Sequence, residues 1–361
     1  VSNFLYPLFE KFLSVPENTG RTIGKPKNVL VVRQHNQLGD LLAGVSIFRA
    51  IKEKYPECEI TLIVSPANYS AVSKNKLIHK VFNFNKKRLI SPFYFFRLIK
   101  LLRKEYDVVI VPVVVSISFT SNLLARLAKA KTRIGPASLE GENNKSDFFF
   151  DRRIHLDWRK HPDSNVADRI LDIVRPFGIN TKNFRSEITF DNTDSHIANL
   201  FLQKIGYKKK NLLIGLHVGA GKPPNRWSLD KYAALIKKFN DEYHVQFYLT
   251  GSSADKNEIG YLLEHLPFSI ESFINHSIPE VAALIAKSTL FICNDTGIMH
   301  VAGATDTPQI SIFGPTNPFN WAPVGVNKFF IRKSELIDDV SVDDVYSVCK
   351  IILSGKTYRQ Q

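Results

Sequence analysis

Short apolar runs alternate with amphipathic stretches through most of the chain. The run Asn28–Arg33 (NVLVVR) lacks polar alternation, as a strand buried on both faces requires. A polar loop, Gln34–Gly39, follows it. Asp40–Tyr55 then carries apolar residues at helical spacing until Pro56 ends the pattern. Glu59–Val64 reads as the next strand, Ser91–Glu105 as a helix with Pro92 in its first turn, and Asp107–Val115 as another buried strand. Ser121–Lys129 is helical again, and Thr132–Gly135 is a short strand and turn. The alternation breaks between residues 140 and 192, a polar, basic stretch with one helix near Val166–Arg175.

It resumes with a strand at Leu212–His217 and a helix at Leu229–Tyr243. Strand Val245–Thr250, helices Lys256–Leu266 and Pro279–Lys287, strand Leu290–Cys293, helix Thr296–Ala304 and strand Gln309–Phe313 follow. Strands alternating with helices imply parallel, doubly wound sheets, one in each half. The expectation is an α/β protein with two Rossmann-like domains, residues 27–185 and 186–340, facing each other across a cleft. Open α/β sheets bind ligands beyond the carboxyl ends of their strands. Residues 341–361 hold a last helix, Val342–Leu353, for which a return to the first domain is open. Residues 1–26 hold an amphipathic stretch, Val1–Val15, with Val1, Phe4, Leu5, Leu8, Phe9, Phe12 and Leu13 at helical spacing, and a polar linker, Pro16–Pro26. Packing on the body and lying in a membrane interface are both open to that helix.

Composition narrows the class. At 361 residues and 44% hydrophobic, the chain is globular and long enough for about two domains of roughly 150 residues. No apolar run approaches the ~20 residues of a membrane-spanning helix, and the first residues lack the pattern of a secretory signal. The three cysteines, Cys58, Cys293 and Cys349, are far apart, which suits a reduced compartment and disfavours a zinc or disulfide framework. A cytoplasmic location follows. The net charge of +14 seeks a polyanion: nucleic acid, an anionic membrane or a phosphorylated substrate. The absence of any recognisable nucleic-acid-binding motif moves the expectation away from nucleic acid.

Polar chemistry collects where strands end. After the first strand comes Arg33-Gln-His-Asn-Gln-Leu-Gly-Asp40, whose Asp40 is either a helix cap or a general base for an acceptor hydroxyl. After Leu212–His217 comes His217-Val-Gly-Ala-Gly-Lys-Pro-Pro-Asn-Arg-Trp227. Gly219 and Gly221 there would let backbone N–H groups approach phosphate, with Lys222 and Arg226 neutralising it. It is not a Walker A loop, because Gly215 is out of register and Pro223 stands where Ser or Thr would bind Mg²⁺. After Val245–Thr250, Asp255 or Glu258 could accept from ribose hydroxyls, or both could be ordinary helix-start acids. After Leu290–Cys293 comes Asn294-Asp295-Thr296-Gly297, with His300 one helical turn on. Thr296 and Gly297 form a candidate anion site, His300 shares its face, and Asp295 caps the helix or orients a neighbour.

These stretches resemble a known family. "NDTGIMHVAGA" followed by "TPQISIFGPTNP" is similar to the D-[ST]-G-x-x-H-x-A…FGPT signature of glycosyltransferase family 9, the bacterial ADP-heptose:lipopolysaccharide heptosyltransferases. "VVRQHNQLGDLLAGVSIFRAIKEKYPECEITLIV" and "GLHVGAGKPPNRWSLDKYAALI" resemble its two other conserved segments, in the same order. The resemblance implies a GT-B fold and inverting, metal-independent transfer of a sugar from a nucleotide-diphosphate donor, typically ADP-heptose, to the lipopolysaccharide inner core. It places Asp40 on the general base, Thr296, Gly297 and His300 on the donor site, and Lys222 and Arg226 among the phosphate-binding cations. No resident cofactor is implied, the nucleotide-sugar being a co-substrate. One departure matters: Asn225 stands where the family pattern has Lys, leaving Arg226 or Lys222 to supply that charge. A related nucleotide-sugar enzyme such as an epimerase, and a non-catalytic nucleotide-sugar or glycolipid binder, remain alternatives.

The segment 86–104 is the surface candidate. Lys86, Lys87 and Arg88 precede a helix on which Arg97, Lys100 and Lys104 form one stripe, with Phe95, Leu98 and Leu102 elsewhere on it. It is either a crossover helix with a basic edge in water or a contact for an anionic glycolipid at the inner face of the cytoplasmic membrane. The second reading makes the protein peripherally membrane-associated.

Overall fold

The buried apolar runs pair into two separate sheets. The structure, a computed structural model, describes residues 5–355. Val1 and Phe4 of the expected first helix lie outside the described residues, as does the side chain of Leu5. Contacts divide the chain between Phe184 and Arg185 into two units.

In the first unit the strands are β1 (Asn28–Arg33), β2 (Glu59–Val64), β3 (Lys80–Asn83), β4 (Tyr106–Ile110), β5 (Ala130–Leu139), β6 (Glu142–Asn143) and β7 (Arg152–Leu156). Their order is β3-β2-β1-β4-β5-β6, with β7 also on β5. All pairs are parallel except the β5–β6 hairpin. The stretch where periodicity failed therefore contributes β6 and β7. The helix expected over Asp40–Tyr55 is two, Leu38–Ala43 and Val45–Lys54. They break at Gly44, where a Cβ would lie 2.8 Å from Ile170 Cδ1. The first helix, Leu5–Leu13, packs on this unit: the rings of Tyr6 and Phe9 lie 5.4 and 5.3 Å from Phe119, and Arg126 Nε donates to Leu13 O. Leu8 and Phe12 stay exposed.

The second unit holds β8 (Leu212–His217), β9 (Val245–Gly251), β10 (Glu271–Ile274), β11 (Leu290–Asn294), β12 (Gln309–Ile312) and β13 (Lys328–Ile331). Their order is β10-β9-β8-β11-β12-β13, and every pair is parallel. A helix absent from the sequence reading, Asn192–Lys204, opens the unit through an Asp191–Asp194 capping box. The last helix, Val342–Leu353, packs on the second unit. Val345, Tyr346, Val348 and Cys349 join the apolar core of the second unit, and Tyr346 meets the Phe239 ring at 5.0 Å. Among the described residues no helix is long and apolar enough to cross a membrane.

Both sheets change winding direction beside a central strand: β1 lies between β2 and β4, β8 between β9 and β11. Connections leave on opposite sides there, which opens a crevice at the strands' carboxyl ends. Arg33–Asp40 leaves β1 at such a point, and the loops after His217 and Asn294 leave β8 and β11 side by side.

The centre of the second sheet sets one strict steric demand. A Cβ on Gly215 would overlap the Tyr248 phenol and approach Phe291. Both neighbours are fully buried, and the Tyr248 hydroxyl bonds Ser288 Oγ at 2.7 Å. Gly215→Ala should therefore destabilise the protein by about 1–3 kcal/mol in urea unfolding, as overpacking does; an unchanged midpoint would show that the sheet yields there.

Candidate active site

In the first unit the site grows from a buried arginine. Arg33 ends β1 and is only 4% exposed. Its Nη2 donates to Asp40 Oδ2 at 3.3 Å, and its Nη1 lies 3.4 Å from His35 Nδ1 and 3.5 Å from Pro112 O. The loop between Arg33 and Asp40 is pinned by side chains beyond β2, Ser65 and Asn68, which donate to His35 O at 3.0 and 2.9 Å. Gln34 Nε2 donates to Ser118 Oγ at 2.8 Å on the other side. Asp40 is not a helix cap. Gln37 occupies that position, and Asp40 is the third residue of its short helix. Its carboxylate is spent on no backbone N–H, and 3.3 Å is long for a charge-assisted bond, which leaves acceptor capacity free.

Burial raises the Asp40 pKa above the ordinary carboxylate value, against the attraction of Arg33. His35 is pushed down to about 4 by burial, then by the charges of Arg33 and Lys86. Lys86 thus lies close enough to sense this loop, while Lys87 and Arg88 are exposed beside it. A base with raised proton affinity beside cations suits deprotonation of a hydroxyl on an anionic molecule.

In the second unit a fully buried amide organises the site. Asn294, the last residue of β11, donates from Nδ2 to Val218 O at 2.9 Å and Gly219 O at 3.2 Å. Its Oδ1 accepts from Trp227 N at 3.2 Å and the Tyr232 hydroxyl at 3.0 Å. Both ends of the 218–227 loop are thereby tied to β11. Trp227, also fully buried, donates to Val340 O at 2.8 Å. His217 Nδ1 lies 2.9 Å from Thr250 O. A carbonyl only accepts, so Nδ1 carries the proton and the buried ring is neutral, as its lowered pKa requires.

The two candidate cations part company. Arg226 Nη1 pairs with Glu258 Oε1 at 2.5 Å, and its Nη2 donates to Ala220 O at 3.2 Å. It clamps the loop, so the charge expected for a phosphate is already shared with Glu258. Lys222 is exposed, and its ammonium makes no bond among the described residues. Its charge acts on Asp295. Asn225 at the departure position is buried and donates from Nδ2 to Asp295 Oδ2 at 2.9 Å, with Thr316 also bonding that carboxylate. Asp295 is therefore held from two sides and does not cap the helix, whose cap is Thr296.

The acids separate as well. Asp255 Oδ2 accepts from Ser252 N at 2.8 Å and Oγ at 2.9 Å, a local capping box. A Cβ at Gly219 would collide with that carboxylate, so glycine there serves close packing. Glu258 keeps one buried oxygen, Oε2, without a hydrogen-bond partner. Gly221 faces open space and answers to no such packing demand. The Thr296 hydroxyl makes no capping bond, and Gly297 begins the helix. His300 is buried, its ring edge-on to Trp321 at 6.4 Å, and burial pushes its pKa down to about 4. It acts as a neutral imidazole. Among the described residues no three His, Cys, Asp or Glu side chains gather to hold a metal.

Sequence reasoning passed over Asn294 and Thr316 and read Asn225 as a lost charge. Each lay inside a quoted motif, but an uncharged amide or hydroxyl signals nothing until its partners are known.

Removing Arg226 would strand a largely buried carboxylate, whereas the Lys222 ammonium makes no bond among the described residues. Arg226→Ala should cost about 1–3 kcal/mol of stability, and Lys222→Ala should stay within ~0.5 kcal/mol of wild type. Chemical denaturation of the two variants reads the difference, and equal losses would refute the division of roles.

The model of glycosyltransferase family 9 (heptosyltransferase) matches residues 95–343. Lipopolysaccharide heptosyltransferase 3 of Escherichia coli is 26% identical over 301 residues, 79% of this chain and 83% of the relative. Among solved structures, a glycosyltransferase family 9 protein of Veillonella parvula superimposes with a TM-score of 0.78 at 18% identity, covering 95% of this chain and all of that one (100%). The E. coli ADP-heptose lipopolysaccharide heptosyltransferase II does so with a TM-score of 0.74 at 19% identity, over 91% of this chain and 99% of that one. These likenesses show the GT-B fold in this chain.

Proposed function

The chain belongs to glycosyltransferase family 9, and from that premise we propose inverting, metal-independent transfer of a heptose from ADP-heptose to the lipopolysaccharide inner core. The relatives named above support the donor and acceptor classes. The observation that carries the chemistry is Asp40: a mostly buried carboxylate in the short helix after β1, uncommitted to capping and held by one loose contact to Arg33. In this reading Asp40 takes the proton of the acceptor hydroxyl as its oxygen attacks the anomeric carbon. The bond from that carbon to the diphosphate breaks on the opposite face, which inverts the configuration.

The leaving diphosphate gathers negative charge, and fixed donors that meet it lower the barrier. Lys222 is the free cation of the donor loop, replacing the charge that Asn225 lacks. Thr296 adds a hydroxyl and Gly297 an unobstructed N–H. Asn225 and Thr316 instead hold Asp295 in place. The orphan Oε2 of Glu258 is the better acceptor for a ribose hydroxyl, since Asp255 is spent on Ser252. His217 and His300 serve as neutral hydrogen-bonding groups.

Asp40→Ala should lower transfer by about 10²–10⁴-fold in a folded protein, as loss of a general base does. Wild-type turnover in that variant would remove the assignment. The acid limb of kcat/KM should lie above the ~3.9 of a free aspartate, because the base works only when deprotonated and its proton affinity is raised. Arg33→Met removes the attraction that lowers this affinity, so the limb should move to still higher pH; a fixed limb counts against Asp40.

Calorimetry with ADP tests the donor side. Lys222→Ala should weaken binding about tenfold and Lys222→Arg should restore it, with transfer persisting in chelator. A preference for UDP would redirect the donor, and rescue of transfer by Mg²⁺ would overturn metal independence.

A further inference from the structure

The turn Lys86–Ile90 and the helix Pro92–Leu102 split their residues in an unusual way. The inward face is as a crossover helix requires: Tyr94, Leu98, Leu101 and Leu102 are buried, and the Tyr94 hydroxyl donates to Asn83 O at 2.8 Å. The outward face is not polar. Ile90, Phe93 and Phe96 are 89%, 73% and 72% exposed, and Phe95 is half exposed too. Large apolar side chains left this open, next to one another in sequence, exceed what a solvated helix face carries.

Cations surround them. Lys86, Lys87, Arg88, Arg97, Lys100 and Arg103 are all exposed. Arg97 lies over the Phe93 ring at 5.8 Å and Arg88 over Tyr94 at 5.2 Å. Phe93, Phe96, Arg97 and Lys100 line an open groove of about 890 Å³ with Lys80 and Phe82. Glu59, engaged by Lys104 at 3.4 Å, and Glu105, paired with Lys129, are each already met by a cation. Aromatic residues projecting through a ring of unpaired cations match the boundary between acyl chains and anionic headgroups.

We propose that this face docks on an anionic lipid bilayer, with Phe93, Phe96 and Ile90 entering the acyl boundary and the surrounding Lys and Arg on the headgroups. A second copy of the chain fits poorly, because a symmetric contact would set the cations against themselves. The turn also leaves the same edge of the first sheet as the loop carrying Asp40, since Asn83 ends β3 opposite Val64 of β2, and Val64 stands opposite Arg33 of β1. Docking there brings the base to where a membrane-held sugar would lie. The docking itself needs no nucleotide-sugar, so its failure and the failure of the transferase reading are separate results.

Sedimentation of the full chain with vesicles tests it. The protein should pellet with phosphatidylcholine vesicles containing phosphatidylglycerol, and about tenfold less with phosphatidylcholine alone or near 1 M salt, where screening falls to ~3 Å. Phe93→Ser combined with Phe96→Ser should lose at least about tenfold of the binding with no fall in melting temperature, since neither ring is packed. Phe93→Trp should shift its emission to the blue on anionic vesicles only. Absence of wild-type pelleting, full binding by the double variant, or an unshifted tryptophan would each overturn the proposal. So would concentration-dependent dimerisation that the double variant abolishes, which would assign the face to self-association.

Discussion

Asn294 ends a central strand with no access to solvent, and an amide so placed must have its hydrogen bonds met by protein. It meets them with Val218 and Gly219 at one end of the donor loop and Trp227 and Tyr232 at the other. The loop's shape is thus a condition of burying one side chain. The neighbouring polar contacts of the second unit depend on it. Trp227 is anchored, Arg226 beside it reaches Glu258, Asn225 meets Asp295, and Lys222 is left at the outer bend without a partner. Leaving such an amide unpaired costs about 1–3 kcal/mol per group, enough to make the loop conformation selective.

The first unit solves the same problem with a charge. Arg33 is buried at the end of β1 and must be neutralised, and Asp40 is the carboxylate that does so. Burial lifts the proton affinity of Asp40 while Arg33 restrains it, so this carboxylate is tuned by two opposed effects. In each unit the buried polar residue sits where the sheet changes winding direction, the place where strand ends are not covered by a connection. Fold and chemistry meet at that point because only there can a polar group be both held by the core and reached by a ligand.

Much of this was legible in the chain. The buried runs, the Pro and Gly breaks and the clustering of polar residues after strands are local properties, and they located β1, β2, β4, β8, β9, β11 and β12 closely. The misses have physical causes as well. β6 has only two residues, β7 alternates in burial but buries a charged Arg152 on its inner face, Gly44 interrupts a helical pattern where Ile170 leaves no room for a side chain, and the last helix has an apolar face that does not name its partner.

Residue types at adjacent positions were enough to give the two parallel sheets and the family. They could not say which of two neighbouring cations was free, whether Asp40 or Asp295 capped a helix, or why a neutral Asn225 stands at a charged position. Those answers rest on pairs distant along the chain: Arg226 with Glu258, Asn225 with Asp295, and Asn294 with Val218. Only tertiary structure sets such pairs, because burial turns a polar side chain from a solvated group into one that must find a partner, and the fold chooses which partner is within reach.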